Sequence, residues 1–130
     1  MPAKAIHSMI RVLDEARSVD FYRRTFGLEP SARYPQNGFT LIYLKNAQSP
    51  FELELTINEG REKPFDLGDG YGHLAVLVDD LEAEHSRMQK DGLKPGDLKT
   101  IDLKGPNRLF FVKDPDGYQI EVIGPGGRFS

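Results

Sequence analysis

The chain begins again halfway along, and no other feature of its sequence limits the possible folds as much. His7-Ser-Met-Ile-Arg-Val-Leu-Asp14 lines up with His73-Leu-Ala-Val-Leu-Val-Asp-Asp80 at an offset of 66 residues. Gly27-Leu-Glu-Pro30 lines up with Gly92-Leu-Lys-Pro95 at 65, and Phe51-Glu-Leu-Glu54 with Tyr118-Gln-Ile-Glu121 at 67. Three landmarks in one order at nearly constant offset indicate a tandem duplication. The 130 residues then read as a single domain, 1–130, built of repeat units about 4–60 and 70–124. Each half must repeat one supersecondary plan.

Periodicity supplies that plan. Residues 5–12 alternate as a strand, with Ile6, Ser8, Ile10 and Val12 on one face and His7, Met9 and Arg11 on the other. Asp14 has the chemistry of a helix N-cap. Ala16, Val19, Phe21, Tyr22 and Phe26 follow at helical spacing, and Gly27 suits a left-handed terminator. Strands are expected at 31–35 and 38–44 around the Asn37-Gly38 turn signal, then at 51–58. The second half offers a strand over 72–78 and a helix from about Leu81 to Asp91, entered through Asp79-Asp80. Strands near 107–113 and 118–123 follow, joined by the turn Asp114-Pro-Asp-Gly117. Residues 60–70 form the linker, and the tail from Gly124 to Arg128 is expected to fray. The fold class is α+β: two tandem βαβββ units forming curved mixed sheets, with helices on the outer face and the polar faces lining a cavity.

Composition narrows the chemistry. The absence of cysteine removes disulfides, thiolate metal sites and a thiol nucleophile. Any metal must sit on carboxylates and on three histidines, His7, His73 and His85. His7 and His73 take equivalent places on the first strand of each half, and Glu54 and Glu121 equivalent places on the last. The His-to-Glu separations, 47 and 48 residues, also match. A single strand histidine is ordinarily a hydrogen-bonded structural residue, and a strand glutamate is ordinarily solvated. Four at duplicated positions make a His2Glu2 ligand set, suited to Zn, Ni, Co or Mn and leaving two coordination positions for water or substrate. Glu52 has no acidic counterpart, since Gln119 fills its place, and reads as a rim residue; His85, among helix charges, reads as solvated. Arg11 shares the strand face of His7 and can hold an anionic group in its planar fork. Thr56 and Asn58 extend the face of Glu54. Lys104 and Arg108 flank the loop before the strand leading to Glu121 and are candidates for a basic lid, weighed against ordinary loop charge. A net charge of −3 is not that of a nucleic-acid binder. The longest apolar run, Leu74 to Val78, is too short to span a membrane. No signal-peptide layout follows Met1, so a cytoplasmic location is expected.

Taken together, His7-Ser-Met-Ile-Arg11, Glu54-Leu-Thr-Ile-Asn58, Tyr71-Gly-His73 and Asp114-Pro-Asp-Gly-Tyr-Gln-Ile-Glu121 resemble the glyoxalase I (lactoylglutathione lyase) family of the vicinal-oxygen-chelate superfamily. The resemblance covers almost the whole chain. Its second-half motif is shared across the superfamily, whereas the His-x-Met-x-Arg opening and the Glu-Leu-Thr-x-Asn strand are more particular to this family. It implies that His7, Glu54, His73 and Glu121 bind one divalent ion per site, Ni or Co favoured, with Zn or Mn as alternatives. It also implies that Arg11 and Asn58 hold the glutamyl end of glutathione, and that the chain forms a homodimer with interface sites. The implied reaction isomerises the glutathione–methylglyoxal hemithioacetal to S-lactoylglutathione through an enediolate. Glu121 is the first choice of base, and Glu54 is able to share the role. Other readings on the same scaffold are an epimerase, a metal-dependent thiol transferase and a non-catalytic, ligand-sequestering bleomycin-resistance-type protein. Glu59-Gly60 stands where many members carry Trp-Gly, and Asp69 where some carry Arg. Both add negative charge near an anionic thiol, so the resemblance specifies the reaction class more sharply than the thiol.

Overall fold

The structure, a computed structural model, describes residues 1–129, which form two compact units, 1–66 and 67–129. In the first, β1 (His7–Arg11) leads through α1 (Glu15–Phe26) to β2 (Glu29–Pro35), β3 (Phe39–Lys45) and β4 (Glu52–Asn58). The sheet order is β1-β4-β3-β2, with β1 parallel to β4 and the other pairs antiparallel. The second unit repeats this: β5 (Leu74–Leu77), α2 (Leu81–Lys90), β6 (Lys99–Asp102), β7 (Pro106–Lys113) and β8 (Gln119–Ile123), in the order β5-β8-β7-β6. This is the duplicated βαβββ plan, with a mixed four-stranded sheet in each unit.

Local chemistry starts and stops the helices. The Asp14 carboxylate accepts from the Arg17 amide at 2.9 Å and Asp80 from that of Ala83 at 3.1 Å, each satisfying an otherwise orphaned first-turn N–H. Gly27 closes α1 in the left-handed region at φ 65°, so that its own N–H reaches Arg23 O and that of Leu28 reaches Tyr22 O. On the face that bears on the helix, β1, β3 and β4 bury Ile10, Ile42, Leu44, Leu53 and Leu55. Each such side chain contributes about 1.5–3 kcal/mol. In the second unit Phe110, Val112, Ile120 and Val122 do the same, with Leu81 and Met88 from α2.

Four expectations are corrected in detail. The buried stripe of α1 is Ser18, Phe21, Tyr22 and Thr25, while Ala16 stays exposed and Val19 and Phe26 half-buried. Small hydroxyl residues can meet a sheet closely, which a purely apolar template overlooks. The second unit's β6 is the strand whose place the periodicity leaves unassigned, because all four of its residues are exposed and it carries no buried alternation. His85 is not simply solvated: its Nε2–H donates to Gly96 O at 2.8 Å and its ring meets Phe110 edge-on at 4.9 Å. It fastens α2 to the following loop and to β7. The tail does not fray either. Gly124 N–H donates to Arg108 O, and Arg128 N–H to Leu103 O at 2.8 Å. Gly127 approaches Asn107 so closely that an added Cβ would lie 2.3 Å from its Nδ2.

Candidate metal centre

Strand register puts one His–Glu couple on the open face of each unit. Along the parallel β1–β4 pair His7 stands opposite Glu52 and Met9 opposite Glu54, so His7 and Glu54 are same-face diagonal neighbours. Their Nε2 and Oε2 atoms are 3.6 Å apart. His73 immediately precedes β5, outside the strand in which it was expected. Ala75 pairs with Glu121, so His73 keeps the same diagonal relation, with Nε2 3.3 Å from Glu121 Oε1. Both glutamates are largely buried and both imidazoles partly open, with side-chain exposures of 31% and 11% for the first couple and 41% and 15% for the second.

The donor set fits a divalent ion. Two donors about 2.1 Å from one ion and at right angles lie about 3 Å apart. Separations of 3.3 and 3.6 Å are therefore spans that a cation can bridge with small side-chain rotations. Each unit supplies one such couple, and among the described residues no three His, Asp or Glu side chains converge.

A residue that the sequence pattern does not single out completes the first couple. Tyr43 on β3 stands directly opposite Glu54, and its hydroxyl donates a hydrogen bond to Glu54 Oε2. Its ring meets the His7 imidazole edge-on at 5.5 Å. That hydrogen bond, followed by burial, pushes the Tyr43 phenol up to about 12. Phe39-Thr-Leu-Ile-Tyr-Leu44 carries no alternation that marks a polar side, so only the register with β4 puts Tyr43 beside Glu54. At the equivalent place in the second unit Phe111 stands opposite Glu121, with its ring 5.2 Å from that of His73. Tyr71, two residues before His73, packs edge-on against Tyr118 at 5.2 Å, and burial raises its pKa.

The other candidates divide. Arg11 lies on the His7 face opposite Thr56, which is buried. Asn58 continues that face opposite Phe39, and its Oδ1 is buried without a hydrogen-bond partner. A buried orphan acceptor costs about 1–3 kcal/mol unless a donor reaches it, so this atom is suited to meet one from a ligand. Lys104 and Arg108 are not brought to Glu121 within their unit. Lys104 is at the tip of the β6–β7 hairpin at φ 61°, and that turn lies about 17 Å or more along β7 from Phe111. Arg108 points to the helix side of its sheet, where it pairs with Glu82 of α2. The basic-lid expectation is corrected for Arg108 by register: it shares the face of Phe110, not that of Phe111.

Comparison with known proteins agrees with this geometry. Residues 4–122 match the model of the Glyoxalase/Bleomycin resistance protein/Dioxygenase superfamily. A lactoylglutathione lyase of Neisseria meningitidis is 37% identical over 92% of this chain and 89% of its own. A probable lactoylglutathione lyase of Synechocystis is 37% identical over 91% of this chain and 92% of its own. Among solved structures, the trypanothione-dependent glyoxalase I of Leishmania major aligns with a TM-score of 0.77 at 31% identity, covering 95% of this chain and 87% of that one.

Proposed function

Because the chain belongs to the Glyoxalase/Bleomycin resistance protein/Dioxygenase superfamily, we propose that it is a metal-dependent glyoxalase I. It converts the hemithioacetal of methylglyoxal and glutathione to S-lactoylglutathione. The observation that carries this reading is the pair of duplicated couples, His7–Glu54 and His73–Glu121, each with donor atoms within 3.6 Å. His7, Glu54, His73 and Glu121 would hold one divalent ion, Ni or Co in preference to Zn or Mn. Bound there, the ion supplies Lewis-acid stabilisation to charge developing on two adjacent oxygens.

The chain's own residues do the rest. The Glu121 carboxylate takes the proton from the hemithioacetal carbon bearing sulfur and returns it to the neighbouring carbon, first as base and then as acid. No atom is gained or lost and no oxidant is consumed. Arg11 binds a carboxylate of the thiol, and Asn58 offers its unpartnered Oδ1 to a donor on the same tripeptide. Each unit carries only half of the ligand set, so the reading includes a homodimer in which the His7–Glu54 couple of one protomer meets the His73–Glu121 couple of its partner. It also includes a cytoplasmic location, where thiols are kept reduced. Among the described residues, no helix is long and apolar enough to cross a membrane.

The test is an assay of thioester formation by chelator-stripped protein reloaded with Ni, Co, Zn or Mn, against methylglyoxal adducts of glutathione and of other thiols. Thioester is expected with the glutathione adduct, fastest with Ni or Co. In the Glu121→Gln control kcat is expected to fall by roughly 10²–10⁴-fold while the protein stays folded. Failure of every metal to support thioester formation from any adduct would remove the assignment.

A further inference from the structure

The two couples share their diagonal register and the aromatic ring that faces the glutamate, and that ring differs by one hydroxyl. In each unit the glutamate faces an aromatic residue across the sheet, Tyr43 opposite Glu54 and Phe111 opposite Glu121. In each, that ring braces the histidine edge-on, at 5.5 Å and 73° in the first unit and 5.2 Å and 79° in the second. Only the first unit adds a hydroxyl, and it is bonded to the carboxylate. Resting on the metal-ligand reading above, we propose that Tyr43 is a positioning residue that makes the duplicated couples unequal. Its phenol locks Glu54 as a fixed ligand and leaves Glu121 as the carboxylate that moves the proton.

The physical reason is mobility. A carboxylate that carries a proton between two adjacent carbons must turn from one to the other. The hydroxyl of Tyr43 occupies one side of Oε2, the same oxygen that His7 approaches, and so opposes rotation of the Glu54 carboxylate. Such a partner orients a ligand for a metal, and losing one typically costs 10–100-fold in metal affinity. Phe111 packs the second couple equally well but offers no hydrogen bond, so Glu121 is steadied by its neighbours without a hydroxyl clamp.

The experiment uses the full chain with Co and Ni alone as probes, titrated in competition with a chelator, together with the visible spectrum of the Co form. Tyr43→Phe is expected to weaken metal affinity by about tenfold and to change the Co spectrum, because Glu54 then ligates from a different mean orientation. Phe is the residue the second unit already carries at this place, so the fold should accept it; circular dichroism checks that. The reciprocal Phe111→Tyr is expected to bind metal no more weakly than wild type but to lose about tenfold or more in kcat with little change in KM, because the added hydroxyl ties down Glu121. Wild-type affinity and an unchanged Co spectrum in Tyr43→Phe would overturn the proposal, as would wild-type turnover in Phe111→Tyr. Affinity is measured without substrate, so a protein that binds Co as described yet forms no thioester sinks the proposed reaction and with it the role of Glu121, and leaves Tyr43 as the residue that fixes Glu54. Absence of Co and Ni binding by wild type sinks both.

Discussion

At the scale of single residues, the Tyr43 hydroxyl is the group whose behaviour the site most changes. Its hydrogen bond to Glu54 raises the phenol to about 12, above the value of about 10 for an unfolded tyrosine. A group whose folded pKa is raised stabilises the fold fully below its unfolded pKa, and that contribution disappears as pH climbs through the folded value. The contact should therefore support the metal-free protein undiminished up to about pH 10 and weaken from there toward 12. Of the five tyrosines, the one lost in Tyr43→Phe should account for a single phenolate step near pH 12 in the difference between the two ultraviolet titrations. The raised step of Tyr71, caused by burial, should survive that substitution. A difference step near the ordinary tyrosine value of about 10 would refute the hydrogen bond. Sequence identifies the four ligand candidates by their duplicated positions. Tyr43 escapes it because a tyrosine on a strand reads as packing until the register sets a carboxylate opposite.

At the scale of elements, the β6–β7 hairpin depends on a tail that composition alone reads as loose. The Asn107 side-chain amide donates to Leu103 O and Gly105 O, closing the hairpin loop, and the backbone of Arg128 reaches Leu103 O from the other side. Gly127 lies between them at φ 49°, with no room for a Cβ beside the Asn107 amide. Gly127→Ala must displace that amide and also hold a left-handed conformation. It should destabilise the protein by about 2 kcal/mol, read as a lower urea midpoint at constant m. A loss under about 0.5 kcal/mol, the range of ordinary surface substitutions, would mean that the tail does not dock there. The helices are legible in the sequence because capping is local: Asp14, Asp80 and Gly27 act within four residues of where they stand. Strand β6 is not, because an exposed edge strand is specified by its partner β7 rather than by its own pattern.

At the scale of the whole molecule, each unit holds one His–Glu couple, and a four-ligand centre needs two. Sedimentation equilibrium of the metal-loaded protein should give twice the mass of the chain with one ion bound per chain, and a chelator in excess should lower the denaturant midpoint. Ligand at a hundredfold excess over its Kd is worth about 2.7 kcal/mol. A monomer carrying a full complement of metal would end the interface reading. The sequence by itself determined the duplicated βαβββ plan, the helix boundaries and the four equivalent ligand candidates. These follow from repeat offsets, which are read by comparing the two halves of the chain, and from period-two alternation and caps, which are written in neighbouring residues. Tertiary structure alone decided that Glu54 receives a hydroxyl and Glu121 a phenyl ring, that Arg108 turns to Glu82, and that the tail binds the hairpin. Those outcomes depend on cross-strand register, where a shift of one residue exchanges the two faces of a strand.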